Sequence, residues 1–333
     1  MKPLTNDTIR HRPVLAREVL LWAEGVGEPS LLLDGTLGSG GHSELLLTRF
    51  RNAFLIGLDR DRAAVARAAK RLEPFSERIF LKQRSFATIA DLASDLPEQV
   101  RARRGALCPS EHLLFDCVVL DLGISSDQLD DPSRGFSFMH DGPLDMRMDL
   151  TQEASAATLL NEASVQDLAR LFRQGGVGPL SRALAAEIFS QRPVASTKAL
   201  AEICARVLRR GKAKKGARSG HHPATVPFQA LRIAVNNEFQ ALEQFLAAAP
   251  DFLAPGGRLL VISFHSLEDK LVAGKMRQWS RVDTAPRGLP SLERPLGRLL
   301  TRKAVEADPD EIRDNPRARS ARLRVFERER EAA

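Results

Sequence analysis

The sequence is poor in cysteine. Its three cysteines, Cys108, Cys117 and Cys204, lie far apart, without C-x-x-C spacing and without a histidine placed to complete a metal site. This pattern argues against a disulfide framework and against a structural zinc site. We therefore expect buried, reduced thiols and no bound metal.

Long apolar runs are also missing. No unbroken apolar stretch reaches the roughly 18 residues that a membrane-spanning helix needs. The first residues, MKPLTNDTIRHRP, are polar and lack the apolar centre of a signal peptide. At 333 residues and 43% hydrophobic, the chain can bury a full core in one large domain or two ordinary ones. We expect a soluble, cytoplasmic protein without a membrane partner.

Acidic residues are absent between Ile203 and Pro223. This stretch carries seven cations, equal to the whole formal net charge of +7 that results from 49 Lys and Arg against 42 Asp and Glu. Such density favours a polyanionic partner, and we predict a basic loop at 206–222. Its candidate nucleic-acid contacts are Arg209, Arg210, Lys212, Lys214, Lys215 and Arg218. A solvated loop, in which its glycines break any helix, is an equally good interpretation.

Short apolar runs alternate with amphipathic stretches along the chain. Five runs have strand length, at 31–34, 53–59, 78–83, 115–123 and 257–266. The gaps between the first four hold helix-like segments such as 61–73, and this order is typical of parallel βαβ units. The sequence therefore predicts an α/β fold with a doubly wound sheet.

The gap between the fourth and fifth runs is far longer than a crossover needs, and it predicts an inserted domain. Ser164 can cap one helix, with Asp167 as its capping-box partner, and Ser196 or Thr197 can cap another. A third helix is expected to run unbroken over FQALRIAVNNEFQALEQFLAAA and to return the chain to the sheet. We place the core domain at 1–143 and 228–333, and an all-helical, substrate-recognising insert at 144–227.

A glycine-rich turn, DGTLGSGGHS, follows the first predicted strand. Glycine permits left-handed backbone angles and close approach to a ligand, so the turn predicts a site at the carboxyl edge of the sheet. Asp59, nineteen positions after Gly40, ends the second strand where an acid can accept both hydroxyls of a ribose. Phe86 follows the third strand, where its ring can cover an adenine or pack in the core. Asp121 ends the fourth.

Two cofactor classes fit this pattern. A dinucleotide pyrophosphate requires G-x-G-x-x-G and a helix N-terminus without nearby acids, whereas here Ser43 stands at the third glycine position and Asp34 opens the turn. An acid suits the ammonium and sulfonium groups of S-adenosylmethionine. We predict S-adenosylmethionine as the cofactor and keep an NAD-linked oxidoreductase as the alternative.

Longer motifs point to one family. They are DGTLGSGGHS, LDRD, LDLGISSDQLDDPSRGFSFMHDGPLDMRMD, HPATVPFQALRIAVNNE, LAPGGRLLVISFHSLED and NPRARSARLR. From HRPVL at 11–15 to RARSARLRVFE at 317–327, they resemble the ribosomal RNA small subunit methyltransferase H family of MraW-type enzymes, which N4-methylate a cytosine of bacterial 16S rRNA. The resemblance implies a class I, Rossmann-like methyltransferase core with an inserted helical domain. It also implies action in the decoding centre, at the P site of the small ribosomal subunit.

The family's cofactor contacts carry over position by position. They fall on Gly40, Gly41, His42, Asp59, Phe86, Asp121 and Gln128, and the charge argument adds Asp34. The insert departs from the family, because RQGGVGP stands where a tyrosine is common and this chain contains no tyrosine. Stacking on a flipped base would therefore use Phe, Trp or His, with Phe136 and Phe138 as candidates and core packing as their alternative.

Transfer to a cytosine amine requires a group that holds the amine hydrogens, because the N4 lone pair is delocalised into the ring. Many amino-methyltransferases place D/N-P-P-Y/F after the fourth strand, but this chain has DLGIS there. Candidate catalytic residues are Asp121, Asp145 and His265, with Asp141 and Glu268 as further polar groups. The SFHSLED segment is also typical of a helix start capped by Ser266.

A third hypothesis is a non-catalytic ribosome-binding factor that kept the fold, motivated by the basic run and the missing D-P-P-Y motif. It predicts RNA binding without methyl transfer. The expected partner is 16S rRNA within the small ribosomal subunit, and a homodimer is one of the oligomeric states left open.

Overall fold

The computed structural model describes residues 13–98, 100, 113–213, 222–281 and 294–330, with the side chains of 210–213 excepted. The chain divides into two compact units. The first comprises Met1–Gly123 and Ala241–Ala333, and the second comprises Ile124–Gln240. Within the described ranges, no helix is both long enough and apolar enough to cross a bilayer.

The described strands form one sheet in the first unit. They are β1 Leu31–Asp34, β2 Phe54–Asp59, β3 Ile79–Gln83, β4 Phe115–Asp121, β5 Leu253–Ser263, β6 Gly297–Leu299, β7 Val305–Glu306 and β8 Arg322–Arg328. The spatial order is β3-β2-β1-β4-β5-β8-β6, with β7 beside β8. Strands β1 to β5 are parallel, and β8 runs antiparallel to β5. All five predicted strands are confirmed.

The helices alternate with the first strands and then dominate the middle of the chain. They are α1 Ala16–Glu24, α2 Gly41–Arg49, α3 Arg62–Arg71, α4 Leu92–Asp95, α5 Ser126–Asp130, α6 Ala156–Glu162, α7 Val165–Gln174, α8 Ser181–Ser190, α9 Thr197–Ala213, α10 Thr225–Val235, α11 Glu238–Ala248, α12 Ser266–Trp279 and α13 Pro309–Asp314. The predicted crossover helix at 61–73 is confirmed as α3, whose N-cap Asp61 accepts a hydrogen bond from the Ala63 amide.

Two apolar layers cover the two faces of the sheet. Successive strand residues point to opposite faces, so Leu31 and Leu33 of β1 belong to one layer and Leu32 belongs to the other. Because both faces are covered, β1 is buried along its whole length. The register pairs Asp34 with Gly57. The parallel strands therefore bring their terminal aspartates to one carboxyl edge.

The second unit is helical in its described elements, apart from an isolated β-bridge between Pro143 and Ser196. Ser164 caps α7 as predicted and accepts a 3.1 Å hydrogen bond from the Asp167 amide. The Asp167 carboxylate, however, accepts from the Ser164 hydroxyl rather than from its amide, so the reciprocal bond of a capping box is replaced.

The bounds of this unit differ from the predicted 144–227. Phe136 lies in its apolar core, and the buried side chain of Asn236 bonds the Met146 carbonyl and the Met148 amide, both at 2.7 Å. Segments on both sides of the predicted insert thus fold with it. A pattern of helices alone could not indicate these long-range bonds.

The prediction of one unbroken helix over 228–249 is wrong. The structure has two helices, α10 and α11, separated at Asn236 and Asn237, and Asn237 has a φ of 49°. Asparagine tolerates the left-handed region, and its side chain can bond to nearby backbone in competition with a helix. Arg232 and Glu238 form a 2.8 Å ion pair across the break.

The prediction of a loop over 206–222 is also wrong for the first part of that range. Helix α9 continues to Ala213, so Gly211 does not break it and the first part of the loop is helical. Arg209 is exposed on this helix, and the backbones of Arg210 and Lys212 belong to it. Lys214, Lys215 and Arg218 lie outside the described residues.

Candidate functional site

Different physical constraints favour glycine at the different positions of the turn between β1 and α2. Gly38 and Gly40 have φ of 52° and 78°, in the left-handed region that favours glycine. A β-carbon on Gly35 would lie 2.4 Å from a Leu120 methyl, and one on Gly41 would lie 3.3 Å from the Pro13 ring. Leu120 therefore explains the glycine at position 35 without a ligand, while Pro13 leaves little room for a side chain at position 41.

Asp34, at the end of β1, is buried with 2% of its surface exposed. Its carboxylate accepts a 2.6 Å hydrogen bond from the Ser43 hydroxyl and a 3.2 Å bond from the Thr36 amide. Burial raises the pKa of Asp34, against the opposing effect of the Ser43 hydrogen bond. Asp34 thus ties the strand to the first turn of α2, and its contact with a cofactor stays a prediction.

Asp59, at the end of β2, is held by two backbone amides. One oxygen accepts from Gly38 and the other from Asp61, both at 2.8 Å. Burial raises its pKa to about 6, although both hydrogen bonds oppose the shift. Each carboxylate oxygen has two acceptor positions, so the group can also receive two hydroxyls, as a ribose diol requires.

His42 and Asp121 meet at the same edge. His42 Nε2 lies 3.5 Å from Asp121 Oδ2, and the Asp121 amide donates to Thr36 Oγ1 at 2.5 Å. Both ring nitrogens of His42 and Asp121 Oδ1 are buried and have no hydrogen-bond partner among the described residues. Buried polar atoms without partners are costly, so these atoms mark a place where a bound ligand can supply the missing hydrogen bonds. Sequence reasoning missed Thr36, although its position directly after the glycine was a signal.

Phe86 is 9% exposed, and its ring packs edge-on against Phe245 with centroids 5.6 Å apart. This arrangement favours the core-packing interpretation for most of the ring. Its β-carbon lies close to Gly35 at the start of the turn, so the residue stays adjacent to the edge where the aspartates gather.

His265 begins α12 as its N-cap. Its Nδ1 accepts from the Glu268 amide at 3.3 Å, while Glu268 Oε2 accepts from the Phe264 amide at 3.0 Å. The predicted helix start is confirmed, but its capping residue is His265 rather than Ser266. The geometry assigns His265 this capping bond, and its catalytic role stays a prediction.

The remaining carboxylate and amide candidates lie in the second unit. Asp145 forms two 2.8 Å bonds with the Arg147 guanidinium. Burial opposes ionisation of Asp145, but Arg147 outweighs it and lowers its pKa. The Gln128 amide oxygen accepts from the Ser125 amide at 3.1 Å, in a capping box at the start of α5. Both side chains therefore have structural bonds, and their functional roles stay predictions.

The two phenylalanines proposed for base stacking also lie in this unit. Phe136 is buried in the apolar core. Phe138 is half-buried and stacks on His222, with centroids 4.7 Å apart and rings inclined by 33°, and meets Phe228 edge-on at 5.0 Å. Core packing accounts for Phe136, while Phe138 keeps part of its surface accessible.

The described cysteines agree with the prediction. Cys117 and Cys204 are free and buried, and burial raises the pKa of each thiol to about 12. Such thiols stay protonated and are poor nucleophiles. Cys108 lies outside the described residues.

Comparisons with known proteins bear on this site. The model of the MraW methylase family matches residues 8–329. Ribosomal RNA small subunit methyltransferase H of Synechococcus elongatus is 43% identical over 325 residues, 97% of this chain and 96% of that protein. The protein of the same name from Geotalea uraniireducens is 42% identical, over 96% of this chain and 98% of that one.

A solved rRNA methylase from Streptococcus thermophilus is 10% identical with a TM-score of 0.38, covering 97% of this chain and 99% of that one. The sheet itself confirms the predicted α/β, Rossmann-like architecture, since its parallel strands are doubly wound and its last long strand is antiparallel. The family match extends over both units. The chain therefore belongs to the MraW methylase family.

Proposed function

We propose that this protein transfers a methyl group from S-adenosylmethionine to N4 of a cytosine in 16S rRNA, at the P site of the small ribosomal subunit. The observation that carries the proposal is a set of buried polar atoms on His42 and Asp121 that have no hydrogen-bond partner in the described ranges. They lie at the sheet edge that also holds Asp59. The names of relatives that are 42–43% identical support ribosomal RNA as the substrate.

The cofactor would be held mainly by the first unit. Asp59 would accept the ribose hydroxyls, Phe86 would border the adenine, and Asp121 and His42 would bond other polar groups of the cofactor. Gly40 and Gly41 would shape the backbone there and Asp34 would hold the turn, whereas Gln128 is assigned to the cofactor by the family resemblance alone. When bound, S-adenosylmethionine supplies an electrophilic methyl group.

Asp121 is the preferred acceptor for the cytosine amine. Its Oδ1 has no hydrogen-bond partner among the described residues, whereas Asp145 is bound to Arg147 at both oxygens and His265 Nδ1 receives an amide. A carboxylate that holds an amine hydrogen favours a pyramidal nitrogen. The bond from the Asp121 amide to Thr36 fixes the backbone from which this carboxylate extends. The departing proton passes to Asp121 or directly to water.

The substrate would be engaged by the second unit. Arg209, exposed on α9, begins the basic run that continues through Arg210, Lys212, Lys214, Lys215 and Arg218. Phosphate contacts from such residues position an RNA without reading its sequence. A ribosomal substrate implies the cytoplasm as the site of action, and the homodimer stays a prediction.

The deciding experiment is transfer of labelled methyl from S-adenosylmethionine to small ribosomal subunits that lack the modification. Digestion to nucleosides and chromatography should place the label in N4-methylcytidine. Label in another nucleoside would reject the cytosine target. Binding of the subunit without transfer, although S-adenosylmethionine binds, would favour a non-catalytic ribosome-binding factor. A stability shift with NAD but not with S-adenosylmethionine would favour the oxidoreductase.

A further inference from the structure

The segment Pro13–Leu15 lies against the start of α2. A β-carbon on Gly41 would lie 3.3 Å from Pro13 Cβ and 3.4 Å from Pro13 Cδ. The proline ring thus lies in tight contact with the position that a side chain on the first residue of α2 would take. His42 is the next residue along that helix, and neither of its ring nitrogens has a hydrogen-bond partner in the part of the chain that the structure describes.

Leu15 adopts an unfavourable backbone conformation in this segment. It has φ 53° and ψ 35°, in the left-handed region that a residue with a branched side chain rarely enters. The residue is nonetheless completely buried, and it packs in the same apolar layer as Leu46 and Leu47 of α2. Such strain persists only where surrounding contacts fix it, and it is commonest near functional sites.

One distant side chain fixes this conformation. Glu311 on α13, 296 positions away, accepts the Leu15 amide through Oε1 at 2.7 Å. No side chain caps α1, so this carboxylate takes the role of a cap from outside the helix. Burial raises the pKa of Glu311, and the hydrogen bond from the Leu15 amide opposes this shift.

We infer that Glu311 is a positioning residue for the cofactor site. Through the Leu15 amide, it holds Pro13 against Gly41 and so fixes the N-terminal end of α2, where His42 faces Asp121. The inference rests on the proposed function, because it assigns to Glu311 an effect on S-adenosylmethionine binding. It assigns Glu311 no contact with the cofactor.

Binding of S-adenosylmethionine by calorimetry to the full chain tests this role. Glu311→Ala should raise the Kd about tenfold, since a segment held in its binding conformation reduces the ordering cost of the complex. Glu311→Gln keeps an acceptor oxygen and should bind like wild type. Glu18→Gln, which removes a neighbouring acid without touching the Leu15 bond, is the matched control and should also bind like wild type.

Pro13→Gly provides a second route if Glu311→Ala does not fold. It removes the ring from Gly41 and leaves the Glu311 bond in place, and it should also raise the Kd. At saturating cofactor, neither variant should change the KM for the ribosomal subunit. A folded Glu311→Ala protein with a lower melting temperature but an unchanged Kd would overturn the inference. Wild-type protein that fails to bind S-adenosylmethionine would instead reject the proposed function.

Discussion

The Ser43 hydroxyl donates a 2.6 Å hydrogen bond to the buried carboxylate of Asp34, across the glycine turn between β1 and α2. Both side chains are at most 2% exposed. Ser43, which stands at the third glycine position of the dinucleotide-binding motif, therefore donates the hydrogen bond that the Asp34 carboxylate accepts. The two residues that argue against a pyrophosphate site, Asp34 and Ser43, are therefore hydrogen-bonded to each other.

Replacing Ser43 should destabilise the protein. Ser43→Ala leaves a buried carboxylate oxygen without its donor, and we expect a loss of about 1–3 kcal/mol in the free energy of unfolding. Urea denaturation measures the loss. Ser94→Ala, at an exposed hydroxyl, is the control and should stay within about 0.5 kcal/mol of wild type. Equal stability of the two variants would contradict the structural role of the Asp34 bond.

Asp59 should make stability depend on pH. Its pKa is raised from 3.8 to about 6 in the folded protein, so the folded state holds the proton more tightly than the unfolded state. Stability from this group is complete below about pH 4 and is lost as the pH rises through about 6, by at most about 3 kcal/mol. Asp59→Asn should flatten this part of the profile, measured by denaturation from pH 4 to 8. An unchanged slope would refute the raised pKa.

Asp121→Asn should impair catalysis more than RNA binding. Asparagine keeps the size of the side chain but cannot accept a proton, so we expect kcat to fall at least about 100-fold with the subunit KM little changed. Steady-state methyl transfer gives both constants. Asp251→Asn, at an exposed acid, is the control. A normal kcat would mean that the amine proton leaves directly to water.

Asn236 and Asn237 should respond in opposite ways to substitution. Asn236→Ala removes the bonds to Met146 and Met148 and should cost about 1–3 kcal/mol. Asn237→Gly relieves a left-handed φ at an exposed position and should be neutral or slightly stabilising. Hydrogen exchange of the Met148 amide measures the local effect. Equal protection in the two variants would contradict the proposed cause of the helix break.

Arg209 should contribute to RNA affinity through charge. Arg209→Ala should weaken binding to the small subunit and reduce the slope of log K against log salt by up to about one unit, if it contacts one phosphate. Arg182→Ala, an exposed cation on α8, is the control. Filter binding at several salt concentrations measures the affinity and the salt slope of both variants. Identical slopes for the two variants and wild type would remove Arg209 from the interface.

Local signals predicted much of the fold. Strand-length apolar runs located β1 to β5, and capping residues located α7 and α9, because these elements depend on neighbouring residues. Parallel strands share a carboxyl edge, so placing Asp34, Asp59 and Asp121 there also followed from the sequence. The family resemblance extended this reading to particular cofactor contacts, which stay predictions.

Long-range contacts decided what the sequence could not. The single helix predicted over 228–249 is broken at Asn236 and Asn237, where Asn236 bonds residues about ninety positions earlier. Pro13 leaves little room for a side chain at Gly41, and the Leu15 amide is bonded by Glu311. The sequence by itself determined strands β1 to β5, the aspartates that end three of them and the glycine turn, since hydrophobic period and turn chemistry are local. Only the tertiary structure decided which partner each buried polar group and each glycine has, because those partners come from distant parts of the chain.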